Sequence, residues 1–93
     1  MENKVPRVKH VKERREQNDV FIGRPTKWGN PFHIGKDGGR GEVIGKYIRH
    51  MKDHPKLCAE ARAELKDKNL VCFCFPRPCH GDVLLRIVKG EEL

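Results

Sequence analysis

Leu70-Val71-Cys72-Phe73-Cys74-Phe75 is a run of six apolar residues bounded by Asn69 and Pro76. Six residues are too few for a helix, and apolar side chains at successive positions are what a strand covered on both faces requires. The run predicts the central strand of a sheet. Upstream of it, Leu57, Ala61 and Leu65 recur at four-residue spacing with charges between them, which predicts a helix closed by Asp67-Lys68-Asn69. Before that, Val43, Ile44, Tyr47, Ile48 and Met51 form one apolar face of a helix from about Glu42 to Asp53, ended by His54-Pro55. Downstream, beyond Pro76 to Asp82, Val83, Leu84, Ile87 and Val88 supply a helical stripe, with Asp82 placed as its N-cap or in its first turn.

Toward the N-terminus, Asp19-Val20-Phe21-Ile22 predicts a second strand, stopped by Gly23 and Pro25. Residues 23–41, GRPTKWGNPFHIGKDGGRG, hold six of the nine glycines and exclude regular structure. Long irregular connections in small domains are usually functional or disordered, and Trp28, Phe32 and Ile34 point to order. Residues 1–18 read as a basic arm, with Lys4, Arg7, Lys9, Lys12, Arg14 and Arg15 set against Glu2, Glu13 and Glu16. Val5, Val8 and Val11 are its only apolar anchors and support at most an edge strand near Val8 to Val11.

Strand, glycine-rich loop, helices, strand, loop, helix is an α/β order. Helices carried between two strands favour parallel pairing. The expectation is a single small α/β domain over residues 19–93, with a short, mainly parallel sheet, a helical crossover and a C-terminal helix. Ninety-three residues leave no room for a second core. In a parallel unit the loops leaving the carboxyl ends of the strands share one edge, so Gly23 to Asn30 and Pro76 to Asp82 should converge.

Twenty Lys and Arg against thirteen Asp and Glu give a formal charge of +7, which favours anionic partners such as a nucleotide or nucleic acid. No apolar stretch approaches the roughly 20 residues needed to span a bilayer, and the N-terminus has no apolar signal core. A cytoplasmic protein with no membrane partner is expected. Its four cysteines should then stay reduced and serve as thiols, metal ligands or packing groups.

Three readings compete for the convergent loops. In the first, Arg24, Lys27, Asn30 and Arg77 bind a phosphate-bearing ligand together with backbone N–H groups at the start of the last helix, and Trp28 offers a flat face to a base. His33 is a further donor in reach. In the second, Cys72, Cys74, Cys79 and His80 hold zinc, although one residue between Cys72 and Cys74 is a tighter spacing than zinc chelates usually show. In the third, Cys79 at a helix N-terminus has a lowered pKa and acts as a nucleophile, with His80 as acid or base and Asp82 orienting it, in an enzyme acting on a nucleotide. Packing competes with all three: Cys72 and Cys74 as small buried hydrophobes, Trp28 and Phe32 pinning the loop, and Arg24 paired with Asp82.

The stretches IGRPTKWGNPF at 22–32 and CFCFPRPCHGDVL at 72–84 resemble a family of small bacterial and phage proteins known as a domain of unknown function. That family's pattern is G-R-P-x-K-W-G-N-P-F followed by C-x-C-x-P-x-x-C-H-G-D-V. The resemblance extends over residues 20–88 and leaves the segment before Asp19 outside. It implies a shared site but no particular activity. Where the family often has Trp between the two strand cysteines, this chain has Phe73, one apolar ring for another.

Overall fold

The computed structural model describes residues 6–93. Residues 1–5, with Lys4 and Val5 of the basic arm, lie outside the described residues. The elements follow in the order β1 (Val8–His10), β2 (Asp19–Phe21), α1 (Arg40–Lys52), α2 (Pro55–Glu64), β3 (Asn69–Cys72) and α3 (His80–Val88). The strands form one sheet in the order β1-β3-β2, with both pairs parallel. This is the α/β arrangement that the apolar pattern predicts, with two helices in the crossover from β2 to β3 and a third at the C-terminus.

All four residues of β3 are buried, as its central place requires. The strand is nevertheless shorter than its apolar run. Val11 N–H to the Cys72 carbonyl and Ile22 N–H to the Val71 carbonyl, both 2.9 Å, are the last bonds of the two ladders. Beyond them both neighbours turn away, and Phe73 is left 67% exposed, its ring edge-on to Phe21 with centroids 5.7 Å apart.

The pairing register gives each face of the sheet its own covering. Val8, Val20 and Leu70 align on one face and join the core contributed by the helices, with Tyr47, Met51, Ala61, Leu65, Leu84 and Ile87. Lys9, Phe21 and Val71 align on the other. That second face is closed by the turn after β1. The Lys9 ammonium crosses it to the Arg14 carbonyl at 2.9 Å, to Glu16 at 2.9 Å and to Asp19 at 2.8 Å.

The long loop between β2 and α1 is ordered by polar pins as well as by its aromatic residues. Tyr47 Oη donates to the Trp28 carbonyl at 2.8 Å, and Asn30 Nδ2 donates to the Val43 carbonyl at 3.1 Å, so α1 holds the loop at two points. Glu42 accepts the Gly39 N–H at 2.9 Å and starts α1 two residues earlier than the apolar stripe alone predicts. Pro55 starts α2 at its first position, where a fixed φ and a missing N–H cost nothing. Among the described residues no helix is long and apolar enough to cross a membrane.

Candidate functional site

The loops that follow β2 and β3 meet at the carboxyl edge of the sheet. Arg24 and Asn30 from the first loop, and Cys74 and His80 from the second, all line two adjacent cavities of about 230 and 190 Å³. The larger cavity extends toward Arg40 at the start of α1, and the smaller one is bounded by Cys72 and Phe73.

Glycines bring these walls together. A Cβ on Gly29 would lie 2.9 Å from Arg24 Cγ and 3.0 Å from the Arg24 backbone nitrogen, so the loop closes on itself only without a side chain there. A Cβ on Gly81 would lie 3.0 Å from Ile22 Cδ1 and 3.2 Å from Val8 Cγ2. Its absence lets the first turn of α3 settle against the sheet.

Arg24 Nη1 donates to the Asn30 carbonyl at 2.8 Å, and Arg40 Nη1 donates to the Pro78 carbonyl at 3.1 Å. Each guanidinium is thus tethered by one nitrogen at the rim, and its other N–H groups have no partner among the described residues. His80 Nε2 sits 2.8 Å from the Ile22 carbonyl. A carbonyl only accepts, so in the neutral ring Nε2 carries the hydrogen. Burial lowers the His80 pKa, the bond to Ile22 opposes this, and the nearby Arg24 charge lowers it further.

Cys79 is the N-cap of α3. Its sulfur accepts the Gly81 N–H at 3.3 Å, its carbonyl accepts the Asp82 N–H at 3.0 Å, and its own N–H donates to Asp82 Oδ2 at 3.0 Å. Three N–H groups that the sequence pattern offers to a phosphate are therefore engaged by the cap itself. Beneath the cap, Cys79 Sγ lies 3.4 Å from Cys72 Sγ. The hydrogen bond from Cys79 lowers the Cys72 thiol to about 6; burial opposes this, and the backbone N–H groups of Phe75 and Cys74 add to it. The Cys79 thiol is pushed up by the same bond and by burial. The two shifts run opposite to the direction expected from the helix dipole, because the hydrogen bond shared by the two sulfurs favours the charge on Cys72 over Cys79.

The family model for a domain of unknown function, DUF4326, matches residues 5–90. The chain belongs to this family. The DUF4326 match takes in β1, which the motif resemblance leaves outside. A curated relative, an uncharacterized 12.4 kDa protein in the nrdA-td intergenic region of Enterobacteria phage T4, is 38% identical over 76 residues, covering 76% of this chain and 68% of the relative. No solved structure matches.

Within this DUF4326 domain the residues singled out by sequence separate into those at the edge and those elsewhere. Arg24, Asn30, Cys74, Cys79 and His80 line the larger cavity. Lys27 points to α2, where it pairs with Glu64 at 2.7 Å and Glu60 at 3.5 Å. Trp28 is 4% exposed and belongs to the core, so its ring is not open to a base. Asn30 is committed to the loop, since its Oδ1 accepts the Phe32 N–H while Nδ2 holds Val43. Arg77 is exposed and lines neither cavity.

The sets proposed for metal and for catalysis are not assembled as such. Of Cys72, Cys74, Cys79 and His80, two sulfurs meet, while His80 Nε2 faces the Ile22 carbonyl. Among the described residues no three His, Cys, Asp or Glu side chains group as a metal centre. Cys79, His80 and Asp82 contact Cys72, Ile22 and the Cys79 N–H respectively, which is not the order of a nucleophile, its base and an orienting acid. Sequence reading passed over Arg40 and the exposed ring of Phe73. Arg40 stands in the glycine-rich Gly38-Gly39-Arg40-Gly41, where nothing in the spacing shows that α1 begins there.

Proposed function

We propose that this domain binds a phosphate-bearing ligand, a nucleotide or a nucleic-acid strand, at the carboxyl edge of its sheet. The observation that carries the reading is the pair of adjacent cavities sharing Arg24, Asn30, Cys74 and His80, with Arg40 at the far rim and the Phe73 ring exposed at the near one. Each cavity is below the roughly 300–1,000 Å³ of drug-sized ligand pockets, so one takes a group rather than a whole molecule. Guanidinium groups already tethered by one nitrogen lose less freedom when they meet phosphate oxygens. In this arrangement Arg24 and Arg40 receive the phosphate and Phe73, in place of Trp28, offers a face for stacking. The charge of +7 adds long-range attraction.

The test is a panel of mononucleotides and short single-stranded oligonucleotides, followed by calorimetry at two salt concentrations. Arg24→Ala and Arg40→Ala should each weaken the best binder by about tenfold or more, while Lys52→Ala, on the solvated side of α1, should change it less than about twofold. Equal losses from all three variants would mean diffuse charge attraction and would remove the site.

A further inference from the structure

We propose that Cys72 and Cys79 form a redox-active dithiol that closes to a disulfide on reaction with a small peroxide. The inference is independent of the ligand reading above.

Four observations bring it together. The two sulfurs are 3.4 Å apart, so a modest side-chain movement reaches the S–S bond length of about 2.05 Å. The partners lie at the ends of two well-anchored elements, β3 and α3, and are joined by six residues that include Pro76 and Pro78. Beside the sulfur–sulfur contact, the Gly81 N–H donates to the Cys79 sulfur at 3.3 Å, and the contact itself holds the Cys72 thiol below its ordinary value, an environment that favours a thiolate on the pair. Although Cys72 and Cys79 are only 2% and 3% exposed, Cys72 lines the cavity of about 190 Å³ and Cys79 the one of about 230 Å³, giving a molecule as small as hydrogen peroxide a route to them. Cys58 lacks these features: it is buried on α2 with its thiol donating to the Met51 carbonyl at 3.2 Å.

The chemistry balances with peroxide as the oxidant. The Cys72 thiolate attacks one peroxide oxygen; the S–O bond forms as the O–O bond breaks, and the departing hydroxide takes the Cys79 thiol proton and leaves as water. The Cys79 thiolate then attacks the sulfur of the Cys72 sulfenic acid. The S–S bond forms, the S–O bond breaks, and the hydroxide released takes a proton from solvent as a second water. Two electrons pass from the sulfurs to the peroxide. A thiol reductant restores the pair by exchange.

The experiment treats the folded, reduced protein with a small molar excess of hydrogen peroxide, blocks remaining thiols with N-ethylmaleimide after denaturation, and maps the peptides by mass. The expected result is loss of two hydrogens, a Cys72–Cys79 cross-link and two alkylated cysteines, Cys58 and Cys74, all reversed by dithiothreitol. Cys79→Ser should stop the reaction at a Cys72 sulfenic acid that dimedone traps. Cys72→Ser should slow peroxide consumption by about tenfold or more. The wild-type peptide map decides the matter even if a variant fails to fold. Four alkylatable thiols after treatment, first oxidation at Cys58 or Cys74, or stoichiometric zinc held by these thiols in the purified protein would each overturn the proposal.

Discussion

Lys9 on β1 reaches over the central strand to Asp19 on β2, placing Nζ 2.8 Å from Oδ2 with both side chains almost fully buried, at 1% and 2% exposure. β3 lies between the two strands, so this ion pair ties the edges of the sheet together across its middle. Asn69 Nδ2 on β3 donates to Asp19 Oδ1 at 3.0 Å, which includes the central strand in the same network. Removing Asp19 takes from the buried Lys9 ammonium the more deeply buried of its two carboxylate partners and leaves it the partly exposed Glu16 at 2.9 Å, a loss still larger than that of a surface pair. Asp19→Ala should therefore lower Tm by more than about 10 °C. The double replacement Lys9→Met with Asp19→Leu should recover more than half of that. A Tm for Asp19→Ala within about 2 °C of wild type would refute the clamp.

The same carboxylate sets the acid limit of the fold. Burial pushes the Asp19 carboxyl up, but hydrogen bonds from Lys9, the Glu16 N–H and Asn69 outweigh it and hold the group at about 2. In the unfolded chain Asp19 titrates near the ordinary value of about 3.9 and takes up its proton first as pH falls. Its contribution to stability is thus complete above about pH 5 and is lost between there and about pH 2. Glu13, held down by Arg7 and by the His10 N–H, acts in the same direction. Urea unfolding at a series of pH values should show this decline, and Asp19→Asn should flatten it; an unchanged slope in that variant would assign the acid limit elsewhere.

Gly29 and Lys27 are close in sequence and should differ in effect. Gly29→Ala forces its Cβ against the Arg24 backbone and should weaken nucleotide binding about as much as Arg24→Ala, roughly tenfold. Lys27→Ala removes an exposed pair with Glu64 and Glu60 and should leave affinity unchanged. Calorimetry on both variants checks the assignment, and a large loss from Lys27→Ala would return that residue to the binding edge.

Tyr47→Phe should destabilise the protein by about 1–3 kcal/mol, because it leaves the buried Trp28 carbonyl without its donor. The loop it pins carries the only tryptophan, so the emission of Trp28 should shift to the red as the loop loosens. Thermal melts and fluorescence spectra report the two effects separately, and an unshifted spectrum with wild-type Tm would mean that α1 does not depend on this bond to hold the loop.

The kind of fold was legible from local pattern, because strand and helix periodicities are set by which face of each element must leave water. Leu70 to Phe75 marked the central strand, the stripes at Val43 to Met51 and Val83 to Val88 marked two helices, and parallel pairing followed from the helices between strands. The convergence of two loops at one sheet edge was legible for the same reason, since it follows from strand direction alone. What lay beyond the sequence was the choice of partner for each polar or sulfur-bearing side chain. Lys9 read as one charge in a basic arm, yet it is a buried cross-sheet tie. Lys27 and Trp28 stood inside the most distinctive motif, yet α2 takes the first and the core the second. Cys72 and Cys79 are seven positions apart, and only the seating of α3 against the end of β3 sets their sulfurs face to face. Periodicity is a property of one segment and its solvent, whereas these pairings depend on how distant segments fill the same space, and that was decided only when the tertiary structure closed.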